Sequence, residues 1–256
     1  MDITILGAHN TESENTRLIC LLIDDVLAID AGALTSSLSF AAHQKLKAIL
    51  LTHQHYDHIR DIPAIGINYQ IRDKTLEIYS TKFVYESLTV HLLNDVIYPN
   101  FLEKPPENPT IKFNILEPGE VISILNYSIL PIRVNHSKFT VGFQITAADG
   151  KTMFYTSDTG PGLSEVWQQV SPQLLIIETT ASNRYEDFAL ETGHLTPSLL
   201  QKELESLRDI QGHLPQVVLV HMNPLEEKKI ATEISEVAQK LGASIQLGYE
   251  GMRLHI

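Results

Sequence analysis

One cysteine in 256 residues leaves no partner for a disulfide within the chain. Cys20 lies in the apolar run RLICLLI and reads as a small buried side chain of a reduced compartment. A cysteine-rich structural zinc site is excluded for the same reason. Basic residues are also scarce, with 19 Lys and Arg against 31 Asp and Glu and a formal net charge of -12. So acidic a chain repels long polyanions, which counts against a DNA- or RNA-binding surface. Bound cations would still make a local site for a small phosphate. No apolar run approaches the ~20 residues of a membrane span. The stretch MDITILG has no basic segment followed by a long apolar one, so neither a membrane anchor nor a secretory signal is expected, and the reading is cytoplasmic. No Pro-, Ser- or Gly-rich linker divides the chain, and 43% of it is hydrophobic, so one domain over residues 1–256 with a sizeable core is expected.

What is present is a series of short β-branched runs, among them ITILG, VLAIDAG, AILLTH, SILPIRVNH, TMFYTSD, LLIIET and VVLVH, alternating in part with helical patterns. Thr196-Pro197 predicts a helix start, with Leu200, Leu204 and Leu207 on one side. Asn223-Pro224 predicts another, with Ile230, Ile234, Val237 and Leu241 on one face and Gly242 as the stop. Within it, EEKK (226–229) reads as an exposed face. The fold class is α/β (α+β), with helices covering sheets. Trp167, Tyr98 and Phe101 read as core.

Several apolar runs end on a potential metal ligand. AILLTHQH ends on His53 and His55, SILPIRVNH on His136, TMFYTSD on Asp158 and VVLVH on His221. These side chains converge if the strand ends share one edge of the sheets. Neutral imidazoles and carboxylates suit zinc, or manganese or iron. His53 and His55 point the same way on an extended chain, because side chains alternate with period two. Asp57 and His58 follow where the chain turns into a helix and can face a second ion. Seven candidate ligands exceed what one tetrahedral ion needs and fit two divalent ions sharing a carboxylate and a water.

The pattern His53-x-His55-x-Asp57-His58, then His136, Asp158 and His221, resembles the metallo-β-lactamase fold superfamily. That resemblance implies a four-layered αββα sandwich. It also implies one ion on His53, His55 and His136, a second on Asp57, His58 and His221, and Asp158 between them. HLLNDVIYPNF (91–101), SDTGPG (157–162), ETTASNRYEDFALETGHLTPSLLQKEL (178–204) and VHMNP resemble the class II cyclic nucleotide phosphodiesterase branch. This implies hydrolysis of 3′,5′-cyclic nucleotides to 5′-nucleotides by a metal-bridging hydroxide, with Asp57 orienting the nucleophile, and a homodimer. The loop AHNTESENTR, Tyr56 and Arg60 depart from that branch. In the resembling enzymes a histidine placed like His194 sits by the scissile phosphate, binding substrate and protonating the leaving 3′-oxygen. The alternatives are another hydrolase of this fold (RNase Z-like phosphodiesterase, lactonase or thioesterase) and a metal-dependent nucleotide-binding module. His9, His43, His91, His213 and His255 read as surface or packing residues. Glu178 reads either as a partner orienting a ligand or as a solvated strand end.

Overall fold

A computed structural model describes all 256 residues. Short apolar runs become strands, and those at the middle of the first sheet are buried on both faces. Six come first: β1 (Asp2–Gly7), β2 (Cys20–Ile23), β3 (Leu27–Ile29), β4 (Ala48–Leu50), β5 (Leu76–Ser80) and β6 (Ile111–Ile115). They form one sheet in the order β1 to β6, with β14 (Arg253–His255) added outside β1. The second sheet contains β7 (Ile122–Ile124), β8 (Tyr127–Val134), β9 (Thr140–Thr146), β10 (Thr152–Tyr155), β11 (Leu174–Glu178), β12 (Gln216–Val220) and β13 (Ile245–Leu247), in that order. Each sheet is antiparallel at one side and parallel at the other. β3 to β6 run parallel in the first sheet, and β10 to β13 in the second.

Period-two alternation places the core. Leu174 and Ile176 of β11 face the gap between the sheets, whereas Leu175 and Ile177 face outward. In the first sheet, Ala48 and Leu50 of β4 face the gap and Ile49 faces out. The outer layer on the first sheet comprises α1 (Leu34–Ser37), α2 (Phe40–His43), α3 (Tyr56–Ile59), α4 (Ile62–Gln70) and α5 (Lys82–Ser87). On the second sheet it comprises α6 (Ser164–Trp167), α7 (Glu186–Thr192), α8 (Pro197–Gln211) and α9 (Glu227–Leu241). The four layers are therefore αββα. Trp167 and Phe101 are fully buried and Tyr98 is half-buried, and His43 packs in the outer layer with Nε2 3.0 Å from the Leu34 carbonyl.

α8 begins at Thr196-Pro197 and ends at Gly212 in the left-handed region, as its sequence predicts. α9 starts later than the Asn223-Pro224 signal suggests. The Asn223 side chain accepts the Leu225 N–H at 2.9 Å and its carbonyl accepts the Glu226 N–H, so these residues form a turn and the helix opens at Glu227. Glu226 is not on an exposed face. It is buried against the Ser182 hydroxyl and the Arg184 guanidinium.

Phe143 is fully buried between the sheets. Phe143→Ala is expected to lower unfolding free energy by about 3–5 kcal/mol through lost transfer energy and a cavity, read by the urea midpoint.

Candidate metal centre

β8, β10, β11 and β12 point the same way in the second sheet, and each hands the chain to a polar residue at one edge. β4 of the first sheet delivers Thr52 and His53 to that same edge, where the Val141 N–H donates to the Thr52 carbonyl at 3.2 Å. All seven residues singled out as ligands come together. The ligand atoms of His53, His55, His136 and Asp158 lie within 4.8 Å of one another, as do those of Asp57, His58, Asp158 and His221. Asp158 is the one residue in both groups. Its Oδ1 is 3.3 Å from His58 Nε2, and its Oδ2 is 3.4 Å from His221 Nε2, 3.6 Å from His53 Nε2 and 4.0 Å from His136 Nε2. Asp57 Oδ2 approaches His221 Nε2 at 3.1 Å and His58 Nε2 at 3.6 Å.

The outer nitrogens are tied down. His58 Nδ1 donates to Asp30 Oδ2 at 2.7 Å, His136 Nδ1 donates to the Gly193 carbonyl at 2.8 Å, and His53 Nδ1 is 3.0 Å from the Thr52 hydroxyl. With Nδ1 carrying the proton, the Nε2 lone pairs of His58 and His136 face inward. His53 Nε2, His58 Nε2 and Asp158 Oδ1 are buried without a hydrogen-bond partner. Buried polar atoms are rarely left so, and unpaired imidazole and carboxylate groups aimed at one point are the donor set of a divalent cation. The residues present fit that group.

Electrostatics agree. Burial, reinforced by charge on the neighbouring histidines, keeps His53 neutral far below the usual imidazole range and lowers His55 to about 4. Burial also lowers His136. Burial opposes charge on Asp57, but His58 and His221 outweigh it and hold the carboxyl at about 2. Burial likewise opposes a proton on His58, yet Asp158, Asp30 and Asp57 overcome it and push His58 up.

His194 is next to the ligands, not among the seven. Its ring stacks on His221 with centroids 5.4 Å apart and meets His136 edge-on at 4.9 Å. Nδ1 donates to Glu178 Oε1 at 2.6 Å. Burial works against charge there, but the Glu178 carboxylate raises the imidazole to about 9. Gly193 before it has φ +78°, and an added Cβ would come within 3.0 to 3.2 Å of Ser137 N, His136 Cα and His136 Nδ1, so glycine is required by conformation and space alike.

Glu178 is not a solvated strand end. It is wholly buried and accepts from Thr159 N, Thr180 N, Leu195 N, the Thr180 hydroxyl and His194. The sequence reading passed over Asp30, Thr52 and Thr180. Asp30, fully buried with φ +59°, accepts from Thr52 N, from the Thr52 and Tyr155 hydroxyls and from His58. Its signal was available, since VLAID ends on an acid just as the ligand-bearing runs do. Ser157 and His221 also hold positive φ, a conformation costing ~1–3 kcal/mol per residue that clusters at functional sites. His9 stands apart, bonded to Glu250 at 2.7 Å. Tyr56 is exposed, and Arg60 pairs with Asp61 and Glu12.

Residues 21–222 match the family model of the beta-lactamase superfamily domain. The chain belongs to the beta-lactamase superfamily. The αββα layers and this donor set are those of the metallo-β-lactamase fold. A 3′,5′-cyclic-nucleotide phosphodiesterase of Aliivibrio fischeri is 26% identical over 208 residues, covering 73% of this chain and 61% of that protein. An octanoyltransferase of Porphyromonas gingivalis is 23% identical over 97% of this chain, which spans 46% of that protein. The chain thus corresponds to only part of these relatives. Unliganded yeast PDE1 superposes with a TM-score of 0.86 at 18% identity, over 100% of this chain and 99% of that one, which supports the fold.

Proposed function

We propose that this superfamily member is a two-cation phosphodiesterase that hydrolyses 3′,5′-cyclic nucleotides to 5′-nucleotides. The observation that carries the reading is the His194–Glu178 pair, an imidazole held at 2.6 Å by a buried carboxylate that favours its protonated form and stacked against His221. Opening a 3′,5′-cyclic phosphodiester expels its 3′-oxygen as an alkoxide, which needs a proton as the P–O bond breaks. The name of the Aliivibrio fischeri relative supports the substrate class.

In this reading His53, His55 and His136 would hold one divalent ion and Asp57, His58 and His221 the other, with Asp158 offering a carboxylate to both. Zinc suits these donors, and manganese or iron share them. Bound there, the ions neutralise phosphoryl charge and make water a nucleophile near neutral pH. Asp57, with its side chain 24% exposed, keeps an open carboxylate edge to orient the attacking water. His194 donates its proton to the departing 3′-oxygen, and Glu178 holds the ring for that transfer. Substrate enters as a small monoanion. The chain's charge of -12 disfavours a long nucleic acid. Operation as one cytoplasmic domain and as a homodimer belongs to the same proposal.

The test is to incubate metal-replete protein with cAMP, cGMP, cCMP and cUMP, beside bis-p-nitrophenyl phosphate. Release of 5′-nucleotide supports the reading and gives the base preference. Cleavage of the generic diester alone removes the cyclic-nucleotide assignment, and silence on all five removes the phosphodiesterase.

A further inference from the structure

Two buried carboxylates stand on opposite flanks of the cluster, and each organises two histidines in the same manner. Asp30, from the first sheet, receives His58 Nδ1 directly at 2.7 Å and the Thr52 hydroxyl at 3.0 and 3.1 Å, and that hydroxyl lies 3.0 Å from His53 Nδ1. Glu178, from the second sheet, receives His194 Nδ1 directly at 2.6 Å and the Thr180 hydroxyl at 2.7 Å, and that hydroxyl lies 2.9 Å from His221 Nδ1. Both threonines are buried.

Counting protons fixes the direction of every bond. A hydroxyl has one hydrogen, and an ionised carboxylate can only accept, so each threonine gives its hydrogen to the carboxylate. Its lone pairs remain for the histidine, which must bring the proton on Nδ1. His53 and His221 are thereby held as Nδ1–H tautomers with the Nε2 lone pair facing Asp158. His194 Nδ1, 3.2 Å from the Thr180 oxygen, and His58 Nδ1, 3.4 Å from the Thr52 oxygen, already have shorter partners in Glu178 and Asp30.

We propose that Thr52 and Thr180 are matched positioning residues, each setting the tautomer and aim of one ligand histidine, so that each governs the affinity of one cation: Thr52 through His53, Thr180 through His221. This rests on the two-cation reading above. Valine keeps the shape of threonine and removes the hydroxyl, leaving His Nδ1 facing a methyl group. The ring is then free to turn or to carry its proton on Nε2, where the proton blocks coordination. Serine retains the hydroxyl.

The experiment titrates zinc(II) into metal-free wild type, Thr52→Val, Thr180→Val, Thr52→Ser and Thr180→Ser, in competition with a chromophoric chelator, with circular dichroism melting of each chain as a check on folding. Wild type should take two ions. Each valine variant should keep one tight ion and bind the other roughly 10–100-fold more weakly, and each serine variant should stay near wild type. Adding Asp57→Ala to Thr180→Val should cost no further ion, whereas adding His55→Ala should leave none bound tightly. Two undiminished ions in either valine variant overturn the proposal, as does loss of the same ion in both or a serine variant as weak as valine. Fewer than two ions on wild type instead defeats the two-cation reading, a result read before any threonine is changed.

Discussion

Asp158→Asn is expected to abolish turnover and release both cations at once. Four imidazole Nε2 atoms lie 3.3 to 4.0 Å from its two oxygens, and no other side chain belongs to both ligand groups. Asparagine preserves size but lacks the charge that offsets two dications in a buried pocket, and its amide nitrogen is a donor where a ligand is required. Losing ~4 kcal/mol of transition-state stabilisation corresponds to roughly a thousandfold in rate, and a dinuclear centre contributes at least that much. The readout is metal content by elemental analysis beside kcat. His55→Ala should behave differently, weakening the first ion while the Asp57, His58, Asp158 and His221 group keeps the second. A D158N protein that still carries two ions would show that the centre is not built around this carboxylate.

His194→Ala should lower kcat by about 10²–10⁴ while both ions stay bound, because general acid catalysis is worth that much and His194 lies outside the two ligand groups centred on Asp158. The pH profile gives the sign. The group acts when protonated, so rate is retained below its pKa and falls as pH rises through it. In the cation-free chain that point is about 9. Bound cations repel an imidazolium beside them, so the alkaline limb of the loaded enzyme lies at or below this value. Glu178→Gln removes the attraction that raises the pKa and should move the limb to lower pH, whereas a purely structural Glu178 would change the amplitude without moving the limb. Loss of metal from H194A would reassign His194 to the ligand set.

That these seven candidate ligands would cluster was legible in the sequence, because four of the apolar runs lead into them at one edge of the sheets. His53 and His55 share a face by the period-two alternation of an extended chain, and His136, Asp158 and His221 follow β8, β10 and β12 at the edge where those strands end. The supports were harder to read, Asp30 offering only the acid at the end of VLAID and the threonines no signal, because their meaning comes from partners far along the chain. Asp30 is defined by His58 and by Tyr155, 125 residues away, and Thr180 by His221, 41 residues away. A threonine after a strand is otherwise unremarked. Glu178 had two readings until burial and five donated hydrogen bonds chose one. The late start of α9 came from a local competition, in which Asn223 caps a turn in place of a helix.

The ligands are divided between the two sheets, with His53, His55, Asp57 and His58 arriving from the first and His136, Asp158 and His221 from the second. Neither half can hold a metal as the whole does. A cation could be held by the full set only once the halves have closed on each other. An interaction formed that late leaves the rate of folding alone and slows the reverse step. A cation held there would act as a clasp, keeping shut at this edge a sandwich whose hydrophobic core fills the gap between the sheets.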